Sequence, residues 1–173
     1  MAIGGRFDLT DKKEIPTGMI NAIIAMYQVA LSKALGTGSA ALTQLILRDV
    51  TTIADDMLKD MGVELGEVED LKDDVPKVFK LMGISDKVEV EVPEETTASG
   101  STYVIKVYDS IFKPVALLLQ KRGIKFTLSP ESFIAAYVIR KALRKKDAKA
   151  HVRIQVEPMK TPEEPLIIKV IVR

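Results

Sequence analysis

Lys87-Val88-Glu89-Val90-Glu91-Val92 alternates charged and apolar residues at every step. A period of two marks a strand with one face on a core and one face in water. Before this stretch the apolar residues recur at helical spacing, so the chain changes its period here. Pro93 to Gly100 is a polar turn region, and Ser101 to Asp109 alternates again with Tyr103, Ile105 and Val107 on one face. The two runs predict a hairpin whose loop is longer than the tight two-residue type.

Downstream the helical period returns. Pro114 to Arg122 carries a Val-Ala-Leu-Leu-Leu stripe stopped by Gly123. Ser129-Pro130-Glu131 then combines an N-cap, a proline at the first helical position and an acid in the first turn. The helix it opens carries Phe133, Ile134, Tyr137, Val138 and Leu143 and ends among Arg140, Lys141, Arg144, Lys145, Lys146 and Lys149. His151 to Glu157 alternates once more, and a Pro-rich turn, Pro158 to Pro165, leads to a last strand, Leu166 to Arg173. Two hairpins predict one four-stranded antiparallel sheet. No strand–helix–strand unit has the Gly-rich first turn of a nucleotide fold. The expected fold is α+β, with helices over one sheet face and the order α-α-(α)-β-β-α-α-β-β.

Upstream, residues 1–15 read as a polar leader, and 16–173 as one domain. Pro16 suits a first helical position. From there to Ala34 the chain is apolar on nearly every face, which predicts a central helix that is also an oligomer interface, through Met19, Ile20, Ile24 and Met26. Gly36-Thr37-Gly38-Ser39 breaks that helix, and Ser39 is placed to cap a second one running to about Met61, with Gly62 beyond its end. Glu64 to Asp74 reads as an acidic solvated loop before a short helix from about Pro76 to Met82, closed by Gly83.

Composition narrows the chemistry. The 173 residues are 47% hydrophobic and 5% aromatic with no Trp, so the core is aliphatic. A chain of this length buries roughly 70% of the surface it exposes when unfolded. Lys and Arg number 25 against 24 Asp and Glu, and a net charge of +1 provides no global field for nucleic acid or an anionic membrane. With no cysteine, disulfides, iron–sulfur clusters, thiolate zinc sites and cysteine nucleophiles are excluded. His151 is the single histidine, so multi-histidine metal sites are excluded too. Charged residues precede any apolar run, and the longest such run, Met19 to Leu31, is shorter than the ~20 residues that span a bilayer. A cytoplasmic protein without a membrane span is expected.

No motif assembles a catalytic centre. Gly36 to Ser39 could present amides to an anion, but it follows a helix and lacks the lysine of a P-loop. Asp55, Asp56 and Asp60 could share a hard cation, though a solvated helix face explains them better. The basic helix end could meet phosphates or an acidic partner, although complementing the helix dipole is its simpler role. No aromatic residues interleave with those charges, which argues against single-stranded nucleic acid, and no nucleic-acid partner is expected. No cofactor, metal or catalytic residue is assigned, and a non-enzymatic role is the stronger expectation.

The element order, together with Leu35-Gly36-Thr37-Gly38-Ser39-Ala40-Ala41-Leu42 running into Arg48, resembles the vinyl-4-reductase-like (hydrocarbon-binding) domains and the small subunits of TRAPP vesicle-tethering complexes. The resemblance covers about Pro16 to Arg173. It implies a dimer with an apolar cavity between the helices and the sheet, here expected to be lined by Ile23, Tyr27, Leu45, Tyr103, Ile105, Leu118, Phe133 and Tyr137. The chain departs from that family in having no cysteine to acylate, and Val50-Thr51-Thr52 where a further glycine is expected. The function expected is therefore non-covalent binding or sensing of an apolar small molecule by a homodimer. The alternative is an interaction or scaffold subunit that uses the basic helix end and the acidic loop.

Overall fold

The computed structural model describes residues 16–60, 65–93, 100–126, 129–143 and 150–173. The leader, Met61, Gly62, Glu64, most of the first hairpin's loop and the basic residues Arg144, Lys145, Lys146 and Lys149 lie outside them. So does the side chain of Ser39.

The chain is α+β, in the expected order. Helices α1 (Thr17–Leu35), α2 (Ser39–Asp60) and α3 (Leu71–Leu81) precede strands β1 (Val88–Glu91) and β2 (Ser101–Val107). Helices α4 (Lys113–Lys121) and α5 (Pro130–Leu143) precede β3 (Val152–Val156) and β4 (Leu166–Val172). The sheet is antiparallel throughout, in the order β1-β2-β4-β3. The last hairpin thus pairs with the first through its final strand, and Ile105 lies opposite Ile168. Alternation sets the faces: Ile105, Val107, Val152, Leu166, Ile168 and Val170 are buried beneath the helices. The outer face carries Lys106 paired with Glu91, and Lys169 paired with Glu157. At the start of β2 only glycine fits. Gly100 has φ 105°, and a Cβ there would meet the Val172 carbonyl oxygen at 2.1 Å.

Helix boundaries follow capping chemistry. Pro16 stands just before α1 and its carbonyl accepts from the Met19 and Ile20 amides at 2.8 and 3.3 Å. Ser129 caps α5 as its sequence signal indicates, its hydroxyl accepting from the Ser132 amide at 3.0 Å. Helix α3 begins five residues earlier than Pro76. Asp70 caps it by accepting from the Lys72 amide at 2.8 Å, and Asp74 accepts from the amides of Glu69 and Asp70 at 2.9 and 3.2 Å. Part of the acidic stretch is therefore a capping turn. Two carboxylates at a helix start outweigh the amide donor that Pro76 lacks inside it.

The central helix is α5, not α1. Residues Ile134 to Ile139 are at most 7% exposed, enclosed by α2, α3 and the sheet. Ala135 and Ala136 let the neighbours approach closely. Along α1 only Ala25 is buried. Ile24, Ala25 and Val29 pack on Val115 and Leu119 of α4, and the Asn21 amide donates to the Ile111 carbonyl at 2.9 Å. Being apolar all round let α1 compete for the centre, but α5 packs on α2, α3, β3 and β4 at once and occupies it. The folded α1 also runs beyond Met19 to Leu31. With 19 residues and an 18-residue window of mean hydropathy 1.3 it is long and apolar enough to cross a membrane, by length and composition alone.

Glu131 is the one fully buried carboxylate among the described residues. The Ser110 hydroxyl donates to its Oε1, tying the start of α4 to the start of α5, while Oε2 has no partner among the described residues. Burial pushes its pKa up, and hydrogen bonds from Ser110, its own backbone and Ser129 only partly oppose this. A raised carboxyl pKa stabilises the fold fully below the unfolded value, about 4.5, and that stability is lost as pH rises through the folded value. Glu131→Gln cannot titrate. Its unfolding free energy relative to the parent protein is therefore expected to move in the variant's favour from acid to neutral pH, as read by urea titrations at each pH. A difference that stays constant with pH would show that the carboxyl is not shifted.

Candidate functional site

An apolar pocket of about 270 Å³ opens between α2, α3 and α5. One wall is a stripe of α2, formed by Ala54, Met57 and Leu58. Val78 and Met82 come from α3 and its end, and Ile84 follows them. Ile111 and Phe112 close the side nearest α4, and Pro130, Phe133, Ile134 and Tyr137 come from α5. These side chains meet because α5 shows residues at helical spacing to α2 and α3 at once. The only polar side-chain atom among these residues, the Tyr137 hydroxyl, is already engaged. It donates to Asp55 Oδ1 at 2.6 Å, and Lys141 Nζ reaches the same oxygen at 3.0 Å and the hydroxyl at 3.2 Å. Lys141 also donates to the Leu65 carbonyl at 3.1 Å. The network orients the Tyr137 ring and leaves the pocket with an apolar surface. Such a site can hold a molecule by burial and shape, and offers it little charge or hydrogen bonding.

The network reassigns two groups read from sequence as solvated. Asp55 is half-buried and engages Tyr137 and Lys141, while Asp56 and Asp60 are exposed. Lys141 belongs to the pocket's support and not to a free basic surface. Neither role was visible in the chain, because Asp55 and Lys141 are far apart in sequence.

The residues proposed for a cavity scatter. Phe133 and Tyr137 line the pocket. Ile105 is a fully buried sheet residue and Tyr103 is half-buried on the same strand face. Ile23, Tyr27 and Leu118 are exposed on α1 and α4, and Leu45 is exposed on α2 beside a different groove. The pocket lies among helices, away from the sheet. Ala54, Met57, Met82 and Ile111 also line the pocket without having been proposed from sequence, and the Ala54-Met57-Leu58 spacing was the signal for the two on α2. Of the α1 residues, Met19 and Met26 point outward at 58% and 63% exposure, whereas Ile20 and Ile24 pack against the core.

Among the described residues no group of three or more His, Asp and Glu side chains could hold a metal ion. No family model matches the chain. A crystal structure of a trafficking protein particle complex subunit 3 from Naegleria fowleri, covalently bound to palmitic acid, is similar over 90% of this chain and 96% of its own. That similarity has 18% identity and a TM-score of 0.41. The uncharacterized protein MJ0312 of Methanocaldococcus jannaschii is 32% identical over 152 residues, which span 85% of this chain and 72% of the relative. At that identity and coverage, the chain belongs to the family of MJ0312.

Proposed function

We propose that the protein is a non-catalytic module that binds or senses an apolar small molecule and works as a homodimer in the cytoplasm. The observation that carries the reading is the apolar pocket beside Tyr137. Its volume of about 270 Å³ is near the small end of ligand sites, which run from roughly 300 to 1,000 Å³. It suits a small aromatic or a short alkyl chain better than a long acyl chain. Two of its walls are the methionines Met57 and Met82, whose flexible thioethers adjust to a guest at low cost.

The dimer completes the reading. Met19, Ile23, Met26 and Ala30 follow four-three-four spacing along the uncovered side of α1, the spacing of a helix–helix seam. Tyr27 flanks the seam at 68% exposure. A second copy of α1 would cover this stripe, and the helix then needs no lipid.

The test uses purified protein titrated with toluene, p-cresol and octanoate while the methyl resonances of Ile84, Ile111 and Ile134 are followed. Saturable shifts at these methyls are expected for at least one probe. Ala54→Leu fills the pocket and is expected to weaken that binding about tenfold or more, a loss of at least 1.4 kcal/mol. Methyls that respond to none of the probes, with no co-purified molecule in native mass spectrometry, would sink the ligand reading. An interaction subunit would then be the better description.

A further inference from the structure

We propose a second site, for an oxyanion, in the groove between α2, the end of α5 and the start of edge strand β3. The groove has a volume of about 730 Å³ and does not share residues with the apolar pocket. Gln44, Leu45 and Arg48 face it from α2, Arg140 from α5, and His151 and Val152 from the sheet edge. Three elements thus bring two guanidiniums and the chain's only imidazole to one cleft.

Charge composition makes this convergence unusual. The chain as a whole is balanced, with 25 basic and 24 acidic residues. Yet no Asp or Glu is among the described residues lining the groove. Arg48 does reach Asp49, at 3.2 and 3.4 Å, on the exposed side of α2. An exposed neighbour pair of this kind contributes little and yields readily to a better anion.

The groups are also held in place. Arg140 Nη1 donates to the Leu47 carbonyl at 3.1 Å, which anchors the guanidinium across to α2. His151 is exposed, but its backbone exchanges hydrogen bonds with Arg173 at 2.8 and 2.9 Å, so the imidazole hangs from a paired strand end. A planar guanidinium donates to two oxygens at once, which matches a phosphate or a carboxylate. Leu45, exposed on α2, gives the anion's apolar portion a surface. The ligand class is therefore a phosphate or carboxylate on a small apolar body, either a soluble molecule or a lipid headgroup.

Because the chain has one histidine, its ring resonances report on this groove without ambiguity. The protein is titrated with phenyl phosphate and, separately, with inorganic phosphate at constant ionic strength. In a second arm it is sedimented with phosphatidylcholine vesicles with and without phosphatidic acid. Saturable movement of the His151 signals is expected. Arg48→Gln, at a solvent-exposed position, is expected to weaken binding about tenfold or more, while Lys80→Gln on α3 makes the same charge change without effect. Arg140→Gln should behave as Arg48→Gln does, and its thermal unfolding distinguishes lost binding from lost folding. Binding to phenyl phosphate alone supports a soluble ligand. Arg48-dependent sedimentation with the acidic vesicles supports a headgroup. Shifts that never saturate, or that Arg48→Gln and Lys80→Gln reduce equally, would overturn the site.

Discussion

Phe79→Ala is expected to lower the unfolding free energy by about 3–5 kcal/mol, the usual loss for a fully buried phenylalanine in a core that cannot collapse around the gap. Phe79 is 0% exposed, and on α3 it is accompanied by Val75 and Val78 at 0% and 2%. This helix has 11 residues, too short to be stable alone, and its order comes from docking against α5 and β1. A native stability of about 5–15 kcal/mol leaves little margin for such a loss. Urea unfolding monitored by circular dichroism reads the change directly. The same substitution should weaken apolar ligand binding, because Val78 and Met82 reach the pocket from this helix and its end. A loss below about 1 kcal/mol would show that α3 unfolds separately from the core, outside the cooperative unit.

Ile23→Glu combined with Met26→Glu is expected to convert the proposed dimer to monomer at micromolar concentration, with its circular dichroism unchanged. Both side chains already lie in water within one protomer, at 41% and 63% exposure, so the fold loses almost no packing. In the proposed seam they face their own copies, and four carboxylates would have to be desolvated against one another. Sedimentation equilibrium distinguishes the outcomes. A parent protein that is already monomeric would remove the dimer. A parent protein that needs detergent to stay in solution, and inserts into liposomes, would assign α1 to a bilayer.

How far the sequence carried is clearest at particular residues. The alternation of Lys87 to Val92 predicted a strand, and Val88 and Val90 do turn toward the core in β1. Ser129-Pro130-Glu131 marked the start of α5, and Gly123, at φ 67°, closes α4 where the stripe stops. These are signals that a few neighbouring residues generate among themselves. Phe133 and Tyr137 could be named as cavity-lining residues because aromatics on an apolar helix stripe are few in this chain. Ile105 could not be separated from them, since a core residue and a lining residue carry the same apolar signature. Lys141 and Asp55 were missed because each looks like ordinary surface charge until a distant helix brings the other beside it.

Glu131 makes the same point at the scale of one carboxyl. Its position in the chain, second in a helix, describes an acid that complements a dipole in water, and only the approach of Ser110 places it in the interior. The sequence by itself determined the order of elements, the caps and which strand face is apolar, because hydrogen-bonding and steric preferences act over a few residues. The tertiary structure alone decided that α5 is central and α1 peripheral, and that the pocket lies among helices and away from the sheet. It also decided that Arg48, Arg140 and His151 share a cleft. Two apolar helices compete for the same core, and the contacts that choose between them join residues far apart in the chain.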